Sequence, residues 1–340
     1  MKTPVDTTTP AGRALTGGSR PGESGPGDSP SGESPAGSGA PPALRPARPR
    51  YGERAIRMVL AAAAGLSVVT TLGIVLALVV PALDFFRQVP VVDFLTGTRW
   101  APRFSEPSFG VLPLVTSTLW TTLVALAVAI PFGLGAAMYL SEYASARARK
   151  VLKPILEILA GIPTVVYGFF ALQFVIPFFL GDLLGLEVGS FSVLGAGLVM
   201  GVMILPTVAS LSEDAMSAVP LAIRQGSFAL GANRMQTTLR VVFPAAMSGI
   251  MAAIVLGVSR AVGETMIVAI AAGSQPVMLL DPVQGGQTMT GFIAQAALGD
   301  SRVGSLEYNT LFAVGLLLFV MTMLVNLVSI RLVRRFREAY

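Results

Sequence analysis

The sequence predicts an all-α integral membrane protein with six transmembrane helices. Of the 340 residues, 53% are hydrophobic and only 13% are charged, and the mean hydropathy of +0.70 is too high for an ordinary soluble domain. Six segments each hold the roughly 20 apolar residues that cross about 30 Å of hydrocarbon. Basic residues are concentrated in alternate loops between these segments, as the positive-inside rule expects of a multi-pass protein.

The apolar runs define the predicted spans, which are residues 58–82, 111–140, 155–180, 190–211, 241–273 and 309–332. The second and fifth runs exceed the minimum length, so we expect them to tilt or to extend beyond the membrane. The third run contains Gly161 and Pro163, and we expect its helix to be broken or kinked there.

Charge counts between the spans predict that both termini lie in the cytoplasm. Loop 141–153 has four basic residues and one acidic residue, and segment 212–240 has three basic and two acidic residues, so both are expected inside. Loops 181–189 and 274–308 are acidic and are expected outside. Five arginines before the first span also favour a cytoplasmic N-terminus; they are Arg45, Arg48, Arg50, Arg54 and Arg57.

The first part of the chain differs in composition from the rest. Residues 1–52 are rich in Pro, Gly and Ser, and such a stretch cannot bury enough apolar surface to offset the entropy of ordering. We predict a disordered cytoplasmic tail over residues 1–52 and a six-helix transmembrane domain over residues 53–340.

The composition excludes most familiar catalytic chemistry. The chain has no Cys and no His, which removes thiolate nucleophiles, imidazole bases and histidine metal sites. Its only lysines are Lys2, Lys150 and Lys153, and none follows a glycine, so there is no phosphate-binding loop for a nucleotide. We expect no enzyme activity, no bound cofactor or metal, and no nucleic acid partner. The net charge of +5 does not require a nucleic acid, because membrane proteins concentrate Arg and Lys in their cytoplasmic loops, beside membrane lipid.

The segment between the fourth and fifth spans predicts two short cytoplasmic helices at about residues 213–231. Ser212, followed by two acids, is typical of a helix start, Pro220 separates the two helices, and Gly231 suits a left-handed cap. The second helix exposes Leu221, Ile223, Phe228 and Leu230 beside Arg224 and Gln225. Such a helix is a simple connector, lies on the membrane, or docks into a partner's groove.

Two sets of motifs resemble known families. Gln225-Gly226-Ser227, Gly231, Val241 and Phe243-Pro244 resemble the EAA signature of type I ABC importer permeases, with Gln225 standing where that family usually has Glu. Longer stretches resemble the PstC-type permease of phosphate-specific ABC importers. They are 161-GIPTVVYGFFAL-172, 204-ILPTVASLSEDAMSAVP-220, 229-ALGANRMQTTLRVVFPAA-246 and 258-VSRAVGETM-266.

The resemblance implies a multi-pass subunit in a bacterial cell membrane. It implies a heterodimer with a PstA-type permease, two PstB-type ATPase subunits that bind ATP-Mg, and an external PstS-type phosphate-binding protein. ATPase coupling would involve Leu221, Arg224, Gln225, Phe228, Leu230 and Gly231.

Two charges in the fifth span are the main candidate site. Arg260 and Glu264 are four residues apart, which places them on one face of a continuous helix. The pair either fixes helix packing or lines a substrate path, in which Arg260 binds phosphate oxygens and Glu264 prevents binding that is too tight. The resemblance implies a role in transport. Thr164, Tyr167 and Ser259 are further candidates along the path, although hydroxyls in spans often bond to a neighbouring helix.

The leading hypothesis is therefore a permease subunit of an ABC importer for phosphate. Permeases for sulfate or molybdate share the architecture. A stand-alone secondary transporter would require an internal repeat, which is not evident. A membrane enzyme would require an active site, for which no residues are evident.

Overall fold

A computed structural model describes residues 51–299 and 301–335 of the chain. The predicted disordered tail therefore lies outside the described residues, except that residues 51 and 52 begin the first helix. The chain divides into two compact units, residues 1–62 and residues 63–340. The described part of the first unit is the beginning of that helix, and the contacts below belong to the second.

Almost all regular structure in the described residues is helical. The helices are α1 (Tyr51–Phe86), α2 (Val91–Thr96), α3 (Leu112–Met138), α4 (Ala146–Gly161), α5 (Thr164–Phe170), α6 (Val193–Ser217), α7 (Leu221–Ala229), α8 (Arg234–Thr237), α9 (Phe243–Ala245), α10 (Met247–Val262), α11 (Met289–Ala297) and α12 (Leu306–Arg335). Wider π-helical turns follow α3, α5 and α8; they are Tyr139–Tyr143, Ala171–Leu183 and Thr238–Val242. A fourth π-helical turn, Val268–Ala272, precedes a glycine-containing loop. Strands β1 (Trp100–Ala101) and β2 (Ser108–Phe109) form an antiparallel hairpin before α3.

Five helical stretches are long and apolar enough to cross a membrane, and a bent pair supplies the sixth. The five are Ala55–Phe86, Leu112–Tyr143, Thr164–Leu183, Val193–Ser217 and Leu306–Arg331. Arg234–Ala245 and Met247–Val262 qualify only together, and they are bent by 72°. The described chain thus has six spans, but the prediction of one continuous helix over residues 241–273 is wrong.

The predicted break in the third span is confirmed. α4 ends at Gly161 and α5 begins at Thr164, with Pro163 as the residue before the new helix. Proline lacks an amide hydrogen, so it fits where the first amides of a helix have no intrahelical partner. The region before the break, expected as a loop over residues 141–153, is largely the separate amphipathic helix α4, which Ser145 caps.

The predicted helix start at Ser212 is wrong, because α6 continues through this residue to Ser217. A buried carboxylate makes the extension possible. Glu213 is 1% exposed and accepts hydrogen bonds from Arg149, from Lys153 Nζ at 2.8 Å and from Ser217 Oγ at 2.9 Å. The cations come from α4, so the sequence of α6 alone gives no sign that this carboxylate is neutralised.

Lys153 joins both acids at the end of α6, since its Nζ also lies 2.8 Å from Asp214. Hydrogen bonds to Asp214 and Glu213 raise the pKa of Lys153 above its ordinary value of 10.5. Its contribution to stability is therefore complete below that ordinary value and is lost as the pH rises through the raised one. At neutral pH the network fixes α4 against α6.

Of the candidate spans, α6 is the most buried, and glycines in its middle bring it close to α3. A side chain at Gly201 would lie 2.8 Å from the carbonyl oxygen of Ala125, and one at Gly197 would lie 2.8 Å from Cβ of Val124. Small residues allow helices in a membrane to approach closely and to gain van der Waals contact. α3 and α6 therefore form a close-packed centre, and α4, α5 and α10 pack against α6.

We expect the double substitution R149M/K153M to destabilise the protein by about 3 kcal/mol, because it leaves the Glu213 carboxylate buried without a cation. This is the lower end of the range for breaking a buried pair, since both cations are partly exposed. The matched control is Asp214→Asn, which removes an exposed acid from the same network and should change stability by less than about 1 kcal/mol. Thermal unfolding in detergent measures both; equal losses would contradict the special role of Glu213.

Candidate functional site

The chain leaves the helical conformation close to the two charged residues of the predicted site. α10 ends at Val262, residues 263–265 are not helical, and helical structure resumes at residue 266. The amide of Gly263 closes α10 by donating to the carbonyl of Ser259 at 3.3 Å. Non-helical backbone at membrane depth is tolerated only where protein or a water-filled cavity surrounds it.

Arg260 lies just before this break, and Glu264 lies within it. Arg260 is in the last turn of α10, where a cation interacts favourably with the helix dipole. Glu264 precedes the resumed helix, and its carboxylate accepts hydrogen bonds from the amides of Met266 at 3.0 Å and Ile267 at 3.3 Å. The expectation that the two residues share one helical face is wrong, because the helix does not continue between them. No ion pair joins them among the described residues.

α11 holds the break from the opposite side. The hydroxyl of Thr290 donates to the carbonyl of Glu264 at 2.6 Å, and the amide of Met289 donates to Oγ1 of Thr118 on α3 at 3.0 Å. The charge pattern predicts an external loop over residues 274–308, where α11 lies, and it gives no sign of a role for Thr290 or Thr118. The order Gly263-Glu264-Thr265 is a signal that could have revealed the break, since it places a helix-ending glycine directly before residues that cap a new helix.

The side chain of Arg260 is available to a ligand. It is half-buried, and within residues 51–299 and 301–335 it has no hydrogen bond or ion pair. A guanidinium carries five N–H donors in a planar fork, so these donors remain free for an anion.

Tyr167 is positioned by close packing of α5. A side chain at the adjacent Gly168 would lie 3.0 Å from Cδ1 of Ile270 on the resumed helix. The hydroxyl of Tyr167 donates to the carbonyl of Leu159 at 2.8 Å and so satisfies a carbonyl at the end of α4, just before Pro163. Its hydroxyl hydrogen is thus already used, and donation to an anion would require a different conformation.

The other two candidates differ from each other. Ser259 donates to Oδ1 of Asn326 on α12 at 2.8 Å, which is the interhelical use of a hydroxyl considered above. Both residues line an open cavity of about 980 Å³ between α6, α10 and α12. Thr164 lies half-buried in the first turn of α5, and its hydroxyl has no hydrogen bond among the described residues. The roles of all three in transport stay predictions.

The predicted coupling residues divide into an outer and an inner group. Leu221, Gln225, Phe228 and Leu230 are exposed on and just after α7, and Gly231 ends this region with a φ of +84° that favours glycine. Ile223 and Arg224 instead face the bundle. Arg224 forms an ion pair with Glu142 at 3.1 Å and donates to the carbonyl of Met216 at 2.7 Å. The expectation that α7 exposes both of them is therefore wrong.

Similarity to known proteins identifies the class. Residues 129–338 match the family of binding-protein-dependent transport system inner membrane components. The probable ABC transporter permease protein YqgH of Bacillus subtilis is 38% identical over 270 residues, covering 79% of this chain and 86% of that protein. The phosphate transport system permease proteins PstC 1 of Mycobacterium tuberculosis and PstC of Haemophilus influenzae are 34% and 31% identical, each covering 72% of this chain and 82% of its own length.

The fold is also found among solved structures. A chain of the bacterial alginate ABC transporter in complex with an alginate pentasaccharide-bound periplasmic protein superposes with a TM-score of 0.59 at 14% identity, covering 86% of this chain and 99% of that one. At this identity the likeness shows the fold alone. It agrees with the predicted type I ABC importer permease fold.

The protein is a multi-pass membrane permease. It belongs to the family of binding-protein-dependent transport system inner membrane components, and it is a permease subunit of an ABC importer, similar to the PstC proteins, rather than an enzyme. This class decides against a stand-alone secondary transporter. The side of the membrane on which the termini lie stays a prediction.

We expect Glu264→Ala to destabilise the protein by about 0.5–2 kcal/mol, since it removes the acceptor that caps the resumed helix. Glu264→Gln is the matched control, because its amide oxygen can accept the same hydrogen bonds without the charge, and it should cost less than half as much. Thermal unfolding of the purified protein measures both. If the two substitutions destabilise equally, the charge of Glu264 matters more than its cap.

Proposed function

We propose that this chain is the PstC-type permease subunit of an ABC importer for inorganic phosphate, and that phosphate passes Arg260. The observation that carries the proposal is the guanidinium of Arg260 at the broken helix, which has no hydrogen bond or ion pair within the described part of the chain. A charged side chain inside a span costs on the order of 3 kcal/mol on insertion scales, so it tends to face protein or a path for ions. The similarity to several phosphate permeases supports the choice of anion.

Guanidinium suits this anion in geometry and in charge. Its planar fork binds two oxygens of a phosphate at once, and it remains protonated at all physiological pH values. Transporters of other classes also place binding sites where a span is interrupted, so that helix ends contribute partial charges. Here the negative end of α10 lies close to Arg260 and the carboxylate of Glu264 lies across the break. These two negative groups would lower the affinity of the site for phosphate enough for the anion to be released.

The remaining subunits follow from the same proposal. A PstA-type permease would complete the path, a PstS-type protein would deliver phosphate, and two PstB-type subunits would bind and hydrolyse ATP-Mg. This chain would bind no cofactor of its own. α7 and the residue after it present three exposed apolar side chains, Leu221, Phe228 and Leu230, and this surface is the proposed contact with an ATPase subunit.

Uptake measurements on the assembled complex test the role of Arg260. We expect Arg260→Ala to abolish ATP-dependent uptake of labelled phosphate into vesicles while the subunits still assemble, because the substitution removes the donors that compensate the phosphate charge. Arg260→Lys keeps the charge without the planar fork and should lower uptake at least about tenfold. The matched control is Arg240→Ala, since Arg240 is exposed and has no partner among the described residues.

The same assay tests the substrate. Excess unlabelled sulfate or molybdate should leave phosphate uptake unchanged. Competition by either anion would assign the permease to that oxyanion instead, and normal uptake by the Arg260→Ala variant would remove Arg260 from the path. Loss of the assembled complex in that variant would assign Arg260 a packing role.

Binding measurements test the contact of α7. We expect Phe228→Ala to weaken binding of the ATPase subunit by about fivefold or more, because truncating a side chain that anchors an interface costs over about 1 kcal/mol. Val151→Ala on α4 is the matched control, since it truncates a similarly exposed apolar residue on another helix. Unchanged affinity for both variants would place the ATPase contact elsewhere.

A further inference from the structure

Two side chains of α7 form hydrogen bonds with other helices: Ser227, whose Oγ lies 2.9 Å from Oγ1 of Thr237 on α8, and Arg224, which reaches the ends of two spans. Nη2 of Arg224 lies 3.1 Å from Oε1 of Glu142, at the end of the helical stretch that begins with α3, and 2.7 Å from the carbonyl oxygen of Met216 in the last turns of α6. The side chains of Glu142 and Arg224 are only 8% and 16% exposed. Ser141 donates to Oε1 of Glu142 at 3.0 Å and orients the carboxylate.

We propose that the Arg224–Glu142 pair makes α7 move as one body with the ends of α3 and α6. Arg224 is thus a positioning residue for transport rather than part of the surface that meets the ATPase. The inference rests on the proposed docking of an ATPase subunit at α7, but it holds for any transported anion.

The hydrogen bond between Ser227 and Thr237 reaches only α8, and the remaining connections of α7 are less directional. Ile223 packs with Ala137, Met216 and Val242, and apolar contact of this kind is non-directional and allows sliding. The chain itself enters and leaves α7 through the short non-helical segments 218–220 and 230–233. A charge-assisted hydrogen bond has a narrow geometry, and a guanidinium held by both a carboxylate and a carbonyl fixes position and orientation together.

Neighbouring arginines show that this arrangement is specific to Arg224. Arg234 on α8 is exposed, and its guanidinium lies 5.9 Å from the ring centre of Tyr143. Arg240 is exposed and has no partner in the part of the chain that the structure describes. The exposed Gln225, where related permeases usually carry Glu, is likewise without a hydrogen bond among those residues. In this chain the carboxylate bound to α7 is that of Glu142, from the π-helical turn that follows α3.

The test compares transport per ATP hydrolysed in the full reconstituted complex. Replacing only one partner would leave the other charge buried, so the pair is removed by E142M/R224M and reversed by E142R/R224E. We expect E142M/R224M to assemble and to hydrolyse ATP, while the amount of anion moved per ATP falls by roughly tenfold or more. The reversed pair should recover part of this loss, and R240M, the matched control, should behave as the unmodified complex.

A second measurement is independent of the substrate. The chain has no cysteine, so Ala222→Cys on α7 and Leu123→Cys on α3 introduce the only two sites in it for spin labels. We expect the distance between the labels to be the same in the nucleotide-free and ATP-bound complex. In E142M/R224M the distance should differ between these states or become broadly distributed.

The outcomes separate this inference from the proposed function. A label distance that changes with nucleotide in the unmodified complex, or a double variant that keeps both normal coupling and a constant distance, would overturn the rigid link. A complex that fails to move phosphate but keeps the link would overturn the substrate assignment alone.

Discussion

A polar group inside a membrane must find its partner within the protein, and the break at residues 263–265 depends on this constraint. Two helix ends meet there, and each leaves backbone groups that lipid cannot satisfy. Glu264 accepts from two of the freed amides, and Thr290 donates to a freed carbonyl. Arg260 remains without a partner among the described residues, although it lies at the same break. The hydrogen bonds at the break are therefore made by Glu264 and Thr290, and none of them involves the guanidinium of Arg260.

The same constraint acts at the end of α6, where the charges serve structure instead. Glu213 is buried, and its two cations come from α4. One turn later the carbonyl of Met216 accepts from Arg224, whose other partner is Glu142. Each carboxylate here has a cation within hydrogen-bonding distance, so the charges hold α4 and α7 around a single helix end. The contrast with Arg260 is a physical basis for separating structural charges from one that is free to bind a ligand.

The sequence predicted the elements whose signals are local. The apolar runs gave the span count, Gly161 and Pro163 marked a real break, and Gly231 adopts the expected left-handed conformation. The errors concern groups whose partners are distant along the chain. Glu213 lies inside α6 rather than at a helix start because α4 supplies its cations, and Arg224 turns inward because Glu142 is 82 residues before it. Arg260 was identified as a candidate, but its lack of a partner could be seen only once every neighbour was placed.

α6 connects the two regions in which these charges lie. Its 25 residues span about 37 Å, from Ser192, whose amide donates to the carbonyl of Ala271 on the resumed helix at 3.0 Å, to the turn whose Met216 carbonyl accepts from Arg224. Gly257, one turn before Arg260, lies against it so closely that a side chain there would be 3.2 Å from Cγ2 of Val208 and 3.3 Å from Cγ2 of Ile204. Close-packed helices transmit displacement because their interfaces do not deform continuously. A force applied to α7 would therefore displace α6 as a rod, and α10 would have to follow at Gly257 or repack. The non-helical residues 263–265 are the nearest point at which the chain can absorb that movement, so the proposed coupling would act at the end of the helix that carries Arg260.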